Sequence, residues 1–186
     1  MGQRGRILAE IFGFDGWFVK EAFFENAKGG RVVAVGRFDV LRETKLVLVV
    51  ERRWARRCGQ CTAPCRRLHE RGPMRRWSDL PWAGRSVEIA YAPARVKCAA
   101  CGSSPTEMVA WADPFQRQSR RLQQHLAVEA ASMPVSHVAA MHRLSWLTVR
   151  RAEEQAIARW ELTRPITPLR QLGIDEALAE VLPQDK

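Results

Sequence analysis

The 186-residue sequence predicts an α+β fold: a small N-terminal β region, a zinc-ribbon-like module and then a helix-turn-helix helical domain. Three observations carry that expectation. Runs of β-branched and aromatic residues fill the stretch before residue 52, two C-x2-C knuckles follow, and a long-short-long series of helical patterns comes after them. The expected divisions are 1–51, 52–112 and 113–164, with 165–186 as a linker leading into the start of something further.

In the first division the strand candidates are Trp17-Phe18-Val19 with Phe23-Phe24, then residues 31–35, then 45–50, with Gly29-Gly30 as a turn signal. Residues 7–12 read as a short opening helix. In the second division, residues 79–84 read as a loop because proline and glycine interrupt them. Residues 87–91 alternate as a half-buried strand does, and Arg95-Val96-Lys97 then delivers the chain to the second knuckle. In the third, Asp113-Pro114 predicts a helix start, with the carboxylate capping free amides and proline in the first turn, where no N–H is needed. Leu122, Leu126 and Ala130 recur at four-residue spacing, Met133-Pro134 ends that helix, and residues 136–141 make a short second one. Ser145 caps a third helix, whose expected buried face holds Val149, Ala152, Ala156, Ile157 and Trp160. Long, short, long, with tight turns between, is the outline of a helix-turn-helix. The seven tryptophans are expected mostly in the core rather than as base-stacking platforms.

Cys58-Gly-Gln-Cys61 and Cys98-Ala-Ala-Cys101 hold all but one of the five cysteines. Each knuckle aims two thiolates at one point, and two knuckles complete the tetrahedral sulfur shell of a structural Zn²⁺. The insert between them is longer than the roughly 15–20 residues usual for such pairs. A disulfide pair, unrelated free thiols and rubredoxin-like iron therefore stay open as alternatives. Disulfides need an oxidising compartment, and Glu10 and Asp15 interrupt what a secretory signal would need as its apolar core. Cys65 and His69 follow closely behind the first knuckle. With the four-sulfur shell full, Cys65 is expected to be a small, partly buried thiol and His69 a surface or packing residue.

Thirty Lys and Arg oppose 20 Asp and Glu, a net charge of +10. Such an excess favours a polyanionic partner, most simply double-stranded DNA. An anionic membrane is the rival, but the longest apolar run, residues 46–50, is far too short to span one, so a soluble, cytoplasmic chain without a membrane partner is expected. The first turns of the third helix carry Trp146, Leu147, Thr148, Arg150 and Arg151. Arginine offers guanine a bidentate fork and threonine a hydroxyl or methyl contact, which suits a helix lying in a major groove. A plain three-helix bundle with a solvated basic face has the same pattern, with Trp146 simply core. Arginines at 52–57, 66–67, 75–76 and 120–121 read singly as solvated faces, but several flank the knuckles, where a rigid metal site would hold cations against a phosphate backbone.

The strings CGQC, RRLHERG, DLPWAG, VKCAAC, VAWADPF, VAAMHRLSWLTVRRAEE and LGIDE occur in that order between about Arg53 and Glu176. This order resembles the ISL-three type of bacterial insertion-sequence transposase. The resemblance implies a zinc-binding domain and a helix-turn-helix that recognise a transposon's terminal inverted repeats, ahead of a ribonuclease-H-like DDE domain that cuts and joins DNA. It implies Cys58, Cys61, Cys98 and Cys101 as zinc ligands and Asp175 as the match to the first catalytic acid, with Mg²⁺ needed only in a full-length relative. Cys65 falls where the pattern has no ligand, and His142 where it is usually apolar. After LGIDE the chain reads ALAEVLPQDK instead of a long acid-bearing domain. Residues 165–186 are therefore expected to be a linker and truncated start of that DDE domain, inactive alone, since two-metal phosphoryl transfer needs several carboxylates. Competing readings are a stand-alone zinc-containing DNA-binding regulator, a zinc-ribbon protein-interaction module, and an active nuclease-transposase, against which the missing acids count. A homo-oligomer is left open.

Overall fold

The computed structural model describes residues 16–32 and 44–165. The expected opening helix at 7–12, the end of the strand expected at 31–35, and Asp175 lie outside the described residues. Among the described residues, nine strands and three helices follow one another: β1 Trp17–Glu25, β2 Arg31–Val32, β3 Lys45–Arg52, β4 Arg56–Arg57, β5 Pro64–Cys65, β6 Arg67–Arg71, β7 Arg75–Trp82, β8 Arg85–Tyr91, β9 Ala94–Lys97, α1 Arg120–Ala130, α2 Val135–His142 and α3 Trp146–Thr163.

The main sheet has the order β2-β1-β3-β8-β7, and two small ribbons pair β4 with β5 and β6 with β9. β3 lies at its centre, antiparallel to β1 and parallel to β8. That position explains the unbroken apolar run in β3: Leu46, Leu48 and Val50 join the core while Val47, on the opposite face, is buried too. β1 is joined to β2 through a turn in which Asn26 Oδ1 accepts from the N–H groups of Lys28 and Gly30, at 3.0 and 2.9 Å. The sheet draws β1–β3 from before residue 52 and β7–β8 from after it, so it crosses the expected boundary at 51/52. Its core centres on Trp111, which meets Trp17 at 4.7 Å and Trp77 at 5.6 Å edge to face. Core packing thus holds for three tryptophans, whereas Trp54, Trp82, Trp146 and Trp160 are exposed.

The loop expected at 79–84 is a hairpin instead. Asp79 pairs with Val87 and Trp82 with Arg85, leaving only Ala83-Gly84 as the turn. Both turn residues have positive φ, 50° and 73°, the backbone that a two-residue hairpin needs to match strand twist. Pro81 is tolerated because β7 is an edge strand and its register shifts between Asp79 and Trp82.

The first helix does not begin at Asp113-Pro114. Phe115 takes a left-handed φ of 64° in a turn that Gln116 N–H closes onto Asp113 O at 3.2 Å, and Gln118 bridges to Ser78, so no helix forms before Ser119. Ser119 Oγ then accepts from Leu122 N–H at 3.1 Å and caps α1. The same hydroxyl donates to Asp79 Oδ1 at 2.6 Å, Arg121 Nε donates to that oxygen at 2.7 Å, and Arg121 Nη2 donates to Asp79 Oδ2. Backbone bonds from Ser78 N–H to Arg117 O and from Ser119 N–H to Ser78 O, both 2.8 Å, complete the seam between β7 and α1. Asp79 is buried, so Asp79→Ala strands a guanidinium and a hydroxyl there. We expect a loss of about 3 kcal/mol in urea unfolding, and a change below about 0.5 kcal/mol would show that the seam contributes nothing.

A second core gathers Leu122, Leu126, Val138, Ala139, Val149 and Ala152, with Leu80 of β7 packed against it. α2 and α3 fall where the sequence puts them, and Ser145 caps α3 through a 3.2 Å bond from Thr148 N–H. The expected buried face of α3 is realised only in its first half: Val149 and Ala152 are buried and Ala156 half-buried, but Ile157 and Trp160 are 47% and 58% exposed. Ile157 sits off the 149-152-156 stripe. Trp160 lies near the end of an 18-residue helix of about 27 Å, which outruns the 11-residue α1 of about 16 Å. No helix among the described residues is long and apolar enough to cross a membrane.

Candidate metal centre and nucleic-acid interface

The two knuckles are built alike. In the first, Thr62 N–H donates to Cys58 O at 3.0 Å and Cys58 N–H to Ala63 O at 2.8 Å; in the second, Gly102 N–H donates to Cys98 O and Cys98 N–H to Ser103 O, both at 3.0 Å. The fifth residue of each turn is left-handed, Thr62 at φ 61° and Gly102 at φ 69°. Such turns fold the second cysteine back over the first. Gln60 and Cys61 aim their N–H groups at Cys58 Sγ, 3.4 and 3.5 Å away. Gly59 admits no side chain, because a Cβ there would lie 2.2 Å from Thr106 O.

β4 leads into the first knuckle and β9 into the second, and they bring four sulfurs together. Cys58 Sγ lies 3.7 Å from Cys101 Sγ and Cys61 Sγ 3.5 Å from Cys98 Sγ, all four within 4.8 Å of one another. A sulfur tetrahedron with metal–sulfur bonds of about 2.3 Å has edges of about 3.8 Å. Four sulfurs so placed can hold one metal ion. The disulfide alternative is not the arrangement present, since all five cysteines are free thiols.

The thiols disagree about ionising. N–H donors, first that of Cys101, hold the Cys98 thiol down at about 6, and the Ser103 hydroxyl and N–H lower Cys101. At Cys61 the Ala63 backbone favours the thiolate, but the neighbouring Cys98 and desolvation outweigh it and push the thiol up to about 12. Like charges this close cannot all form alone, and a divalent cation at their centre removes the conflict. Cys65 is buried beside this cluster and stands outside the four-sulfur group; burial, then Cys98, pushes its thiol up to about 11. His69 is exposed on β6.

One carboxylate that sequence reasoning missed ties this centre to the main sheet. Glu107 bridges Cys58 by its backbone, and its side chain is fully inaccessible. Its Oε1 accepts from Tyr91 Oη and from Ala94 N–H, both at 2.8 Å. Arg52 Nε lies 3.1 Å from Oε2 and Arg56 Nε 3.5 Å from Oε1, charge contacts without an aligned hydrogen bond. Burial, then the Glu107 carboxylate, pushes Tyr91 up to about 12. Nothing local in the sequence around Glu107 signals this role. Arg52 and Arg56, read as phosphate-facing cations, thus have a buried structural partner.

In the helical part, α2 ends at Arg143 in a left-handed conformation (φ 54°), with Leu144 N–H donating to Ala139 O at 2.9 Å. Ser145 then opens α3, so the two helices form a tight helix-turn-helix. At the start of α3, Trp146 and Leu147 are about half exposed, at 54% and 49%. Thr148 Oγ1 is engaged 2.7 Å from Ser145 Oγ. Arg150 is exposed but ion-paired along the helix with Glu153 at 2.7 Å and Glu154 at 3.3 Å. Arg151 is exposed and makes no ion pair among the described residues. Of the four candidate DNA contacts, Trp146 and Arg151 are thus the ones presented without a competing side-chain partner among the described residues.

The helix-turn-helix domain of transposase family ISL3 matches residues 107–157, from the Glu107 hub through most of α3. The chain is also 31% identical over 119 residues to the transposase for insertion sequence element IS1001 of Bordetella parapertussis, a match that covers 64% of this chain and 29% of that protein. The chain therefore spans under a third of that relative's length. No solved structure matches the chain. Helices α1 to α3, with the tight turn between α2 and α3, fall within or across the matched stretch, so residues 107–157 of this chain are similar to the helix-turn-helix domain of ISL3-type transposases.

Proposed function

We propose that this chain is the DNA-binding part of an insertion-sequence transposase, with the first turns of α3 reading double-stranded DNA at terminal inverted repeats and a structural Zn²⁺ in the four-cysteine site. The observation that carries this reading is the exposed start of α3, with Trp146 and Arg151 turned to solvent inside the ISL3-type region. The net charge of +10 supports it, because a cationic surface supplies the sequence-independent part of duplex affinity. The rigid cysteine centre next to Arg53 and Arg57 supplies positioning contacts, while α3 supplies base contacts. Thr148, already bonded to Ser145, serves to shape the helix start more than to read bases.

The test is a fluorescence-polarisation titration with labelled duplex DNA at about 50 and 200 mM salt, followed by selection of bound sequences from a random duplex pool. Affinity should fall with a log–log slope of about −0.9 per neutralised phosphate. Arg151→Ala should cost roughly 1–3 kcal/mol of discrimination between selected and random DNA. Arg150→Ala should cost less, because Glu153 and Glu154 already hold that guanidinium. Equal losses on selected and random DNA would reduce Arg151 to a phosphate contact, and affinity indifferent to salt would favour the protein-interaction reading.

A further inference from the structure

A second group of metal-ligating side chains lies far along the chain from the cysteines. His125 and Glu129 stand four residues apart on one face of α1, and His142 ends α2 opposite them. His125 Nε2 lies 3.3 Å from Glu129 Oε1, and His142 Nε2 lies 2.5 Å from Glu129 Oε2. The two imidazoles meet edge to face with centroids 5.6 Å apart, and the three donor atoms lie within 4.8 Å of one another. His142 is held in place: its side chain is 10% exposed, and the Arg143 cap that follows fixes the backbone. The negative end of the α2 dipole also falls here, which favours a cation.

We propose that His125, Glu129 and His142 form a second metal site, taking a divalent transition ion such as Zn²⁺ or Ni²⁺ and clamping α1 to α2. Two imidazoles and a carboxylate are the nitrogen and oxygen donors these ions accept, at about 2.0–2.2 Å from Zn²⁺. The ion takes the place of the hydrogen bond between His142 and Glu129: the proton on Nε2 passes to Nδ1 as the ring changes tautomer, and the freed Nε2 lone pair binds the ion. The His–Glu contact then opens from hydrogen-bond length to the spacing of two ligands on one ion. Three protein ligands leave a further position for water, and His125, 44% exposed, leaves a path for the ion to enter. The donors are nitrogen and oxygen, so this site differs in preference from the all-sulfur one.

The experiment uses the full chain with its four-cysteine site already loaded, titrated with Ni²⁺ and separately with Zn²⁺ by calorimetry in two buffers of different ionisation enthalpy. A second equivalent should bind in both buffers. His125→Gln and His142→Gln should each weaken that event by at least about 100-fold while leaving the first metal in place. His125 is solvent-facing, so its variant keeps the fold even if the His142 variant loosens α2; circular dichroism checks both. Saturation at a single equivalent in the unaltered chain overturns the proposal, because the triad is then only a hydrogen-bonded clasp. Retention of the second equivalent by both variants overturns it too, by putting the ion elsewhere.

Discussion

Removing one knuckle ligand, by Cys58→Ser or Cys101→Ser, is expected to cost the chain its central ribbons. Metal binding in small zinc modules is worth roughly 10–16 kcal/mol, and where no site exists in the unfolded chain that energy is folding energy. The core around Cys58 is small, only Val96, Cys65 and Cys98 with Ala63 against it, so apolar burial there cannot replace the ion. The paired segments are short as well: β4 and β5 have two residues each, and β6 is exposed throughout. Purified protein should carry about one zinc per chain at the cysteines, read by mass spectrometry, and a strong chelator should lower the melting transition. Cys65→Ser should be mild, because that sulfur stands outside the group of four. Protein that loses its metal and melts unchanged would sink the structural role, and iron in place of zinc would revive the rubredoxin-like alternative.

Glu107→Ala should be the most damaging substitution away from the cysteines. The carboxylate is wholly inaccessible and serves Tyr91, the Ala94 N–H and two arginines at once. Removing it leaves a phenol and a backbone donor without their acceptor and the nearly buried Arg52 charge without its counter-ion, and breaking a buried pair by deleting one partner costs about 3–5 kcal/mol. Glu107→Gln should cost less, since an amide oxygen still accepts from Tyr91 and Ala94. In a double-mutant cycle, Arg52→Ala should recover part of the loss, because it takes away the stranded charge. Chemical denaturation of the unaltered chain and these variants measures each quantity, and strict additivity would show that Arg52 and Glu107 do not act as a pair.

Local chemistry made the knuckles legible. A C-x2-C turn brings its own two thiols together, so the four cysteines that cluster could be named from spacing, and the resemblance carried the same four. The end of the first helix, at Ala130 just ahead of Met133-Pro134, and the Ser145 cap were legible for the same reason, since proline and serine act within one helical turn. Misreadings arose where a local signal met a distant partner. Pro81 and Gly84 looked like a loop, but β8 offers β7 a strand to pair with, and at an edge the proline costs no ladder bond. Asp113-Pro114 looked like a cap, but the chain turns there and is then tied by Ser78 at Arg117 and Ser119, and the Asp113 carboxylate pairs with Arg120 and Arg159 instead.

The sequence by itself determined the class of this protein and its helix-turn-helix, because caps, breakers and cysteine spacing act over a few residues. Only the tertiary structure decided that β8 lies parallel to β3, that Glu107 joins the four-cysteine cluster to the sheet, and that His125, Glu129 and His142 meet. Each of those depends on segments far apart in the chain being folded onto one another, and the energy that chooses among such pairings comes from burial and charge compensation across the whole core, which no short stretch of sequence displays.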